Sequence, residues 1–446
     1  LVEFARACRP EDIPDDVALC AKLSILDALG VSLAAADEPI AGIIERYVHR
    51  LGGAEQATVL VSGTRTSAPL AAFANGVLCH AIDYDDMHFP TIAHPTTAVL
   101  PAALAAGELT GARGADVLRG FVLGMEAFCK VGGVMNPGHW YRGYHATGTF
   151  GAVGAGVAAA AILGLDEPGF LQALGIAGTA AAGLKQNLGT MTKPFHAGHA
   201  AENGVKAALL AADGFTATER ILEGRFGLFR VTTDVARLEY LDRLGDPWDL
   251  VDPGVIVKRY PSCGGTHAAI HALLSLVDEH DIGADDVEHV DAGMNPIGPE
   301  ELIYPEPRTP LEAKFSMQFC LAVALLERRV SPAEFTDEKV RDSRVVELER
   351  RITLSVDPDV TARVPLEEGD LEAVVTVRLR DGTEYRRGHR LGPLPAEVVQ
   401  AKFMECVAGR LPDGGAEAVV EAVLGLELLP DLGPLFDAVI PNRAAR

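Results

Sequence analysis

The segment TGTFGAVGAGVAAAAILGLD, residues 147–166, leaves a chain few ways to fold. Nearly every side chain in it is small, and the small residues fall on all faces of a helix at once. Such a helix has no solvent face, and neighbours can approach its backbone closely from every side. It belongs at the centre of a helical assembly. A second run, LQALGIAGTAAAGL (171–184), has the same character. The glycines GTFGAVGAGVA (148–158) also invite a dinucleotide-binding reading. That fingerprint needs a strand before the glycines and an acid about 20 residues later. HWYRGYHAT is no buried strand and Asp166 comes too early, so the glycines are read as packing.

Other helices fill residues 1–255. In DEPIAGIIERYVHRLGG, Ile40, Ile43, Ile44, Tyr47, Val48 and Leu51 share one face, with Pro39 at the start and Gly52-Gly53 at the end. In SAPLAAFANGVLCHAID, Leu70, Phe73, Ala74, Val77 and Leu78 repeat the pattern behind a Ser67 cap. ATVLVSG (57–63) reads as a short strand at most. Near residue 284 the period changes to two in VEHVDAGMN, RITLSVDPD and LEAVVTVRLRDGTEYRRGHR, where Asp381-Gly382 marks a hairpin. LEAKFSMQFCLAVALLER and SPAEFTDEKVRDSRVVELERR between them read as helices. LPAEVVQAKFMECVAGRL and AEAVVEAVLGLELLPDLG return to helix. The expected fold is mainly α, with a large helical domain over 1–255 completed by 395–446, and a smaller α+β domain over 256–394.

The 446 residues are 48% hydrophobic, enough for large buried cores, and the formal charge of −23 argues against nucleic acid or anionic lipid as a partner. Seven dispersed cysteines without a CxxC pair read as reduced thiols of a cytoplasmic protein. No uninterrupted apolar run of about 18 residues is free of glycine, proline and charge, so a membrane span is not expected. LVEFARACRP lacks a signal-peptide layout.

Between residues 80 and 94, three aspartates and three histidines crowd into HAIDYDDMHFPTIAH. Metal ligation by His80, Asp83, Asp85, Asp86, His88 or His94 has little support from spacing. The histidines stand 8 and 6 apart with Pro90 between, not at the i, i+4 of a helical metal site. A different regularity is more telling. His94, His145, Lys193 and His267 each stand at the start of an expected helix. Free N–H groups and the helix dipole there attract carboxylates and disfavour imidazolium, leaving neutral histidines able to act as bases. The argument has force only if those helix ends converge. Asp83, three residues after His80, should share its helix face and serve as base or orienter, whereas Asp85 and Asp86 read as surface or structural acids. Lys258 and Arg259, in VIVKRYPSCGGTH, offer cations for substrate carboxylates, and Cys263 reads as a buried thiol.

Several blocks, taken together and in order, resemble the 2-methylcitrate dehydratase family, also called MmgE/PrpD. They are ILDALGVSLAA, GVLCHAIDYDD, HPTTAVLPAALAAGE, GYHATGTFGAVGAGVAAAAILGL, GTMTKPFHAGHAAENGVKAALLA, KRYPSCGGTH and EAKFSMQF, spanning roughly residues 20–320. The resemblance implies a helical domain, a smaller α+β lid domain with a cleft between them, and a homodimer. It implies metal-free, cofactor-free chemistry on a small di- or tricarboxylate, by proton transfer next to a carboxylate. A 2-methylcitrate dehydratase-like hydro-lyase is the leading reading, with cis-aconitate decarboxylase or iminodisuccinate epimerase as alternatives. Its motifs place Asp83, His94, His145, Lys193 and His267 in the catalytic set, with Lys193 clamping substrate carboxylates, His94 as principal acid/base and Asp83 tuning or relaying its proton. Lys258, Met87 and Tyr304 are expected at the substrate, Met87 where some members carry a hydroxyl. One departure stands out. Strict dehydratases tend to carry Ser-Asp-Asn after the His-Pro, and this chain has Thr96-Thr97-Ala98. Outside this class stand a zinc hydrolase built on His94, His196, His199 and Asp83, and a non-catalytic carboxylate-binding protein.

Overall fold

The computed structural model describes residues 1–369 and 371–440, which divide into two units. The first comprises 1–186, 192–257 and the chain from 394 onward; the second comprises 187–191 and 258–393.

Eight helices of 13 residues or more carry the first unit up to residue 257: α1 (Asp15–Ala34), α2 (Pro39–Leu51), α3 (Ala68–His80), α4 (Thr96–Thr110), α5 (Gly114–Met135), α6 (Ala146–Ile162), α7 (Glu167–Thr179) and α8 (Thr192–Ala212), after a short N-terminal helix, Val2–Ala7. All 17 residues of α6 are buried, as its composition requires. It packs against α4, α5, α7 and α8. Glycines set how closely these helices meet. A Cβ on Gly124 of α5 would lie 2.7 Å from the Gly154 carbonyl oxygen of α6. One on Gly204 of α8 would lie 2.5 Å from the backbone of Ala155, and one on Gly198 would lie 2.4 Å from the Phe73 carbonyl of α3. Backbone faces backbone there, and no rotamer change makes room. Asp15–Asp37 is long and apolar enough to cross a bilayer, yet 72% of its apolar window is buried within the protein, as in a core helix.

Pro39 and Gly52 bound α2 as expected, Gly52 taking φ +62°. Ser67 occupies the N-cap position of α3 but its side chain makes no capping bond; Gln56 Oε1 accepts the Ala68 N–H instead, at 3.1 Å. The 57–63 segment yields only β1 (Ala57–Thr58), paired antiparallel with β2 (Arg65–Thr66).

In the second unit, α9 (Gly264–His280) and α10 (Met317–Glu327) accompany a sheet of order β4-β3-β5-β6. Here β3 (Val287–Met294) runs parallel to β4 (Ile352–Val356) and antiparallel to β5 (Glu372–Leu379), with Val290 opposite Val377. The hairpin to β6 (Glu384–Arg390) turns at Asp381-Gly382, where Gly382 takes φ +89°. α9 lies against β5, β6 and α10. Two expected helices are broken. Ser316 accepts the Phe319 N–H at 3.0 Å and starts α10 afresh inside 311–328. Residues 331–351 form three short helical pieces, each opened by a capping side chain, Ser331, Thr336 or Asp342. Short polar side chains compete with the ladder of backbone bonds, and here they win.

The chain then returns to the first unit through α11 (Ala396–Val407), α12 (Gly415–Leu424) and α13 (Gly433–Val439). α11 docks on α1. Lys402 Nζ lies 2.6 Å from Asp27 Oδ1 and donates to the Tyr84 carbonyl at 2.6 Å. Gly30 lets the Phe403 ring come so near that a Cβ there would lie 2.9 Å from it.

Candidate active site

α3 ends at His80, and the chain from there to α4 is a buried loop rather than a wet one. Met87 and Ile256 exchange backbone hydrogen bonds at 2.9 and 2.7 Å, and the His88 N–H donates to the Ala93 carbonyl at 2.9 Å. Asp83 and Ile92 take left-handed φ of +55° and +49°, unusual for such residues and needed to turn the segment back. The Asp83 conformation breaks the helix face it was expected to share with His80. Its carboxylate pairs with Lys193, Oδ1 to Nζ at 3.1 Å.

Asp85 takes the place expected for Asp83. It is fully buried, with Oδ2 2.8 Å from His80 Nδ1 and 3.4 Å from His94 Nδ1. Asp86 is also buried: Thr96 Oγ1 donates to its Oδ2 at 2.5 Å, and its backbone carbonyl lies 2.9 Å from His94 Nδ1. The surface reading of both acids is therefore wrong. Their partners His80 and Thr96 are buried with them.

Three of the four expected helix starts meet here. His94 precedes α4, and its N–H donates to Thr147 Oγ1 of α6 at 3.2 Å. His145 is the N-cap of α6, Lys193 lies in the first turn of α8, and His196 follows one turn on. His145 Nδ1 lies 3.0 Å from His196 Nδ1, so one ring donates and the other accepts. The His80 ring stands 4.7 Å from that of His94 and stacks at 5.9 Å on that of His145, between centroids. The fourth start, α9 with His267, belongs to the second unit.

A carbonyl can only accept, so His94 Nδ1 carries a hydrogen toward Asp86 and Nε2 is the basic nitrogen of the neutral ring. Burial holds His145 well below the ordinary histidine range, aided by His196, Lys193, His80 and His94. It lowers His80 against the opposing pull of Asp85, and takes His196 down to about 4. Of the helix-start histidines expected to be neutral, His145 is pushed that way, with burial the largest cause. Asp86 moves the other way, raised by burial to about 7.

Among the described residues, the group spaced for a metal ion is His80, Asp85 and His94, with donor atoms within 4.8 Å of one another. Within it His80 and Asp85 are hydrogen-bonded to each other, while His94 Nδ1 bonds the Asp86 carbonyl. The zinc set expected from His94, His196, His199 and Asp83 is not assembled: His199 stacks on Phe195 and bonds Asn203 at 2.9 Å, while Asp83 faces Lys193.

The remaining expected residues are placed as follows. Met87 is buried in the first unit. In the second, Lys258 is fully buried, and His267 Nε2 lies 3.3 Å from the Ser262 carbonyl, its ring 5.2 Å from that of Tyr260. Tyr304 Oη donates to the Leu188 carbonyl at 2.8 Å. Cys263 is buried with Sγ 3.1 Å from Glu301 Oε2. His80, Asp85, Asp86 and His196 are members of this cluster that lie outside the catalytic set expected from the sequence, His80 and Asp85 foremost. The signal available was a histidine and an aspartate five apart at a helix end, too generic to single them out.

Residues 1–241 match the MmgE/PrpD N-terminal domain, and residues 260–428 match the MmgE/PrpD C-terminal domain. Cis-aconitate decarboxylase of Mus musculus is 28% identical over 443 residues, covering 95% of this chain and 89% of the relative. That of Homo sapiens is 28% identical over 447 residues, covering 95% and 90%. A cis-aconitate decarboxylase of Aspergillus terreus is 26% identical over 476 residues, covering 98% and 94%.

Proposed function

This chain belongs to the MmgE/PrpD family and is a lyase of it, and from that premise we propose that it decarboxylates cis-aconitate or a close unsaturated tricarboxylate. The observation that carries the choice is the near end-to-end likeness to relatives named for that reaction. The dehydratase reading, preferred from the resemblance alone, has less support. Where strict dehydratases carry Ser-Asp-Asn, Thr96 donates to Asp86 and Thr97 donates to the Gly76 carbonyl at 3.3 Å, while Ala98 is buried in a small apolar cluster. Both hydroxyls are turned to protein groups.

The chemistry fits the residues of the first unit. As the carboxylate bond breaks, its electron pair forms a new C=C. The pair of the old C=C moves to the carbon alpha to a remaining carboxylate. That carbon takes one proton, CO₂ leaves, and the product is a dicarboxylate with a terminal methylene. The protein must hold the remaining carboxylates, stabilise negative charge beside one of them, and deliver one proton. Lys193 supplies positive charge next to the histidines. Within the neutral His145–His196 pair, the ring that accepts at Nδ1 carries its hydrogen on Nε2 and can donate it to the growing oxyanion without bringing a full charge. His94, with Nδ1 anchored on Asp86 and Asp85 beside it, is assigned as the proton donor. For His267, Lys258 and Tyr304 the support is the family likeness of the blocks that carry them.

Purified protein in D₂O with cis-aconitate, 2-methylcitrate or iminodisuccinate, followed by proton NMR, tests the proposal. The expected result is turnover of cis-aconitate to a methylene product carrying one deuterium, slowed about 10²–10⁴-fold in H94Q. H267Q in the same assay tests that residue's assignment. Water loss from 2-methylcitrate with cis-aconitate left intact would overturn the decarboxylase reading.

A further inference from the structure

Asp85 has no solvent exposure, and its carboxylate stands between two imidazoles. A buried carboxylate beside a histidine favours the protonated ring, but only if something holds the carboxylate in place. His80 is built to do so. It closes α3, is 1% exposed, and points Nδ1 at Asp85 Oδ2 across 2.8 Å. Its ring is confined by His94 and His145. Its other nitrogen, Nε2, is buried with no hydrogen-bond partner, so the polar work of this side chain lies at Nδ1. His94 Nδ1 is 3.4 Å from the same Asp85 oxygen, near enough for charge to act while the Asp86 carbonyl takes the hydrogen bond.

We propose that His80 is a positioning residue for His94: its Nδ1–H fixes the Asp85 carboxylate, and Asp85 stabilises the His94 ring whenever that ring carries the proton. The proposal rests on His94 being the proton donor of the reaction above. The titratable groups around His94 are Asp85 and Asp86 on its own segment, His80 from α3 and His145 from α6. Behind His145 stand His196 and the Lys193–Asp83 pair, linked through α8.

Three variants separate positioning from mere filling of space. H80N keeps a donor at the Nδ1 position and lacks Nε2; H80L keeps bulk without a donor; D85N removes the charge. Histidine carbon-13 NMR titration of the ligand-free protein reads the His94 pKa directly, with circular dichroism as the check on folding. In H80L and D85N the His94 pKa should fall by about one unit or more, whereas H80N should stay within about 0.3 unit of the parent. With turnover measured in parallel, kcat should drop about tenfold or more in H80L and D85N, KM changing less than about threefold, and H80N should recover most of it. An unmoved His94 pKa in D85N, or H80N and H80L behaving alike, would overturn the proposal. The titration needs no substrate: a protein inert toward cis-aconitate that still shows these shifts would refute the reaction and leave the positioning role standing.

Discussion

Asp86 carries its ionisation as a cost to the fold. Burial raises its pKa to about 7; the Thr96 hydroxyl opposes this, and nearby Asp27 and Asp85 add to it. The folded chain thus holds a proton there that the unfolded chain releases near the ordinary aspartate value of 3.8. Its stabilising contribution is full below the unfolded pKa, declines between the two values and is gone once pH has risen through about 7. D86N, neutral throughout and still able to accept from Thr96, should therefore gain on the parent as pH rises from 5 to 8. The slope should not exceed about 1.4 kcal/mol per pH unit, read by urea unfolding at several pH values. A constant difference between variant and parent would show that Asp86 titrates normally. At this scale the spacing singled out the stretch but mistook which of its acids stands beside His94. Counting i, i+3 from His80 assumed that α3 runs on through Asp83. Helix end and left-handed Asp83 are set by the packing of the loop on Ile256 and Ala93, which no local spacing reveals.

Among elements, glycine separates contacts that must exist from those that need not. Gly204 faces the α6 backbone at Ala155, and α8 also carries Lys193 and His196. G204A should push α8 off α6, costing about 1–3 kcal/mol and part of the turnover, seen as a lower Tm and a lower kcat. Gly42, on the exposed face of α2, meets only the flexible end of Arg46. G42A should be neutral or up to about 1 kcal/mol more stable through helix propensity alone. Equal effects at the two positions would mean that α8 has room to move. The small-residue helices were readable because a helix without a polar face has one destination. The breaks at Ser316, Thr336 and Asp342 were hidden because a capping residue looks like any other polar residue until its side chain turns inward.

Over the whole molecule, the change from helical to alternating period near residue 284 and the later return to helix were visible as patterns, because burial on one face imposes period regardless of partners. That α11 would seat Phe403 on Gly30 and Lys402 on Asp27 was not visible, since neither partner carries a sign of the other. A chain ending at Pro393 should therefore leave the first unit unfinished: soluble yield and helical circular dichroism should fall well below those of the parent, and adding back residues 394–446 as a separate peptide should restore part of the signal. Full stability without that segment would show α11–α13 to be an ornament.

The split first unit also has a timetable. On a ribosome, α1 to α8 emerge before the second unit is made, and the helices that cover α1 emerge after it. At about 5–20 residues per second, the stretch from 258 to 393 delays completion by roughly 7–27 s. For that interval the apolar groove destined for Phe403 is bare in a crowded cell. The first unit can therefore close its core only after the whole of the second unit has been made.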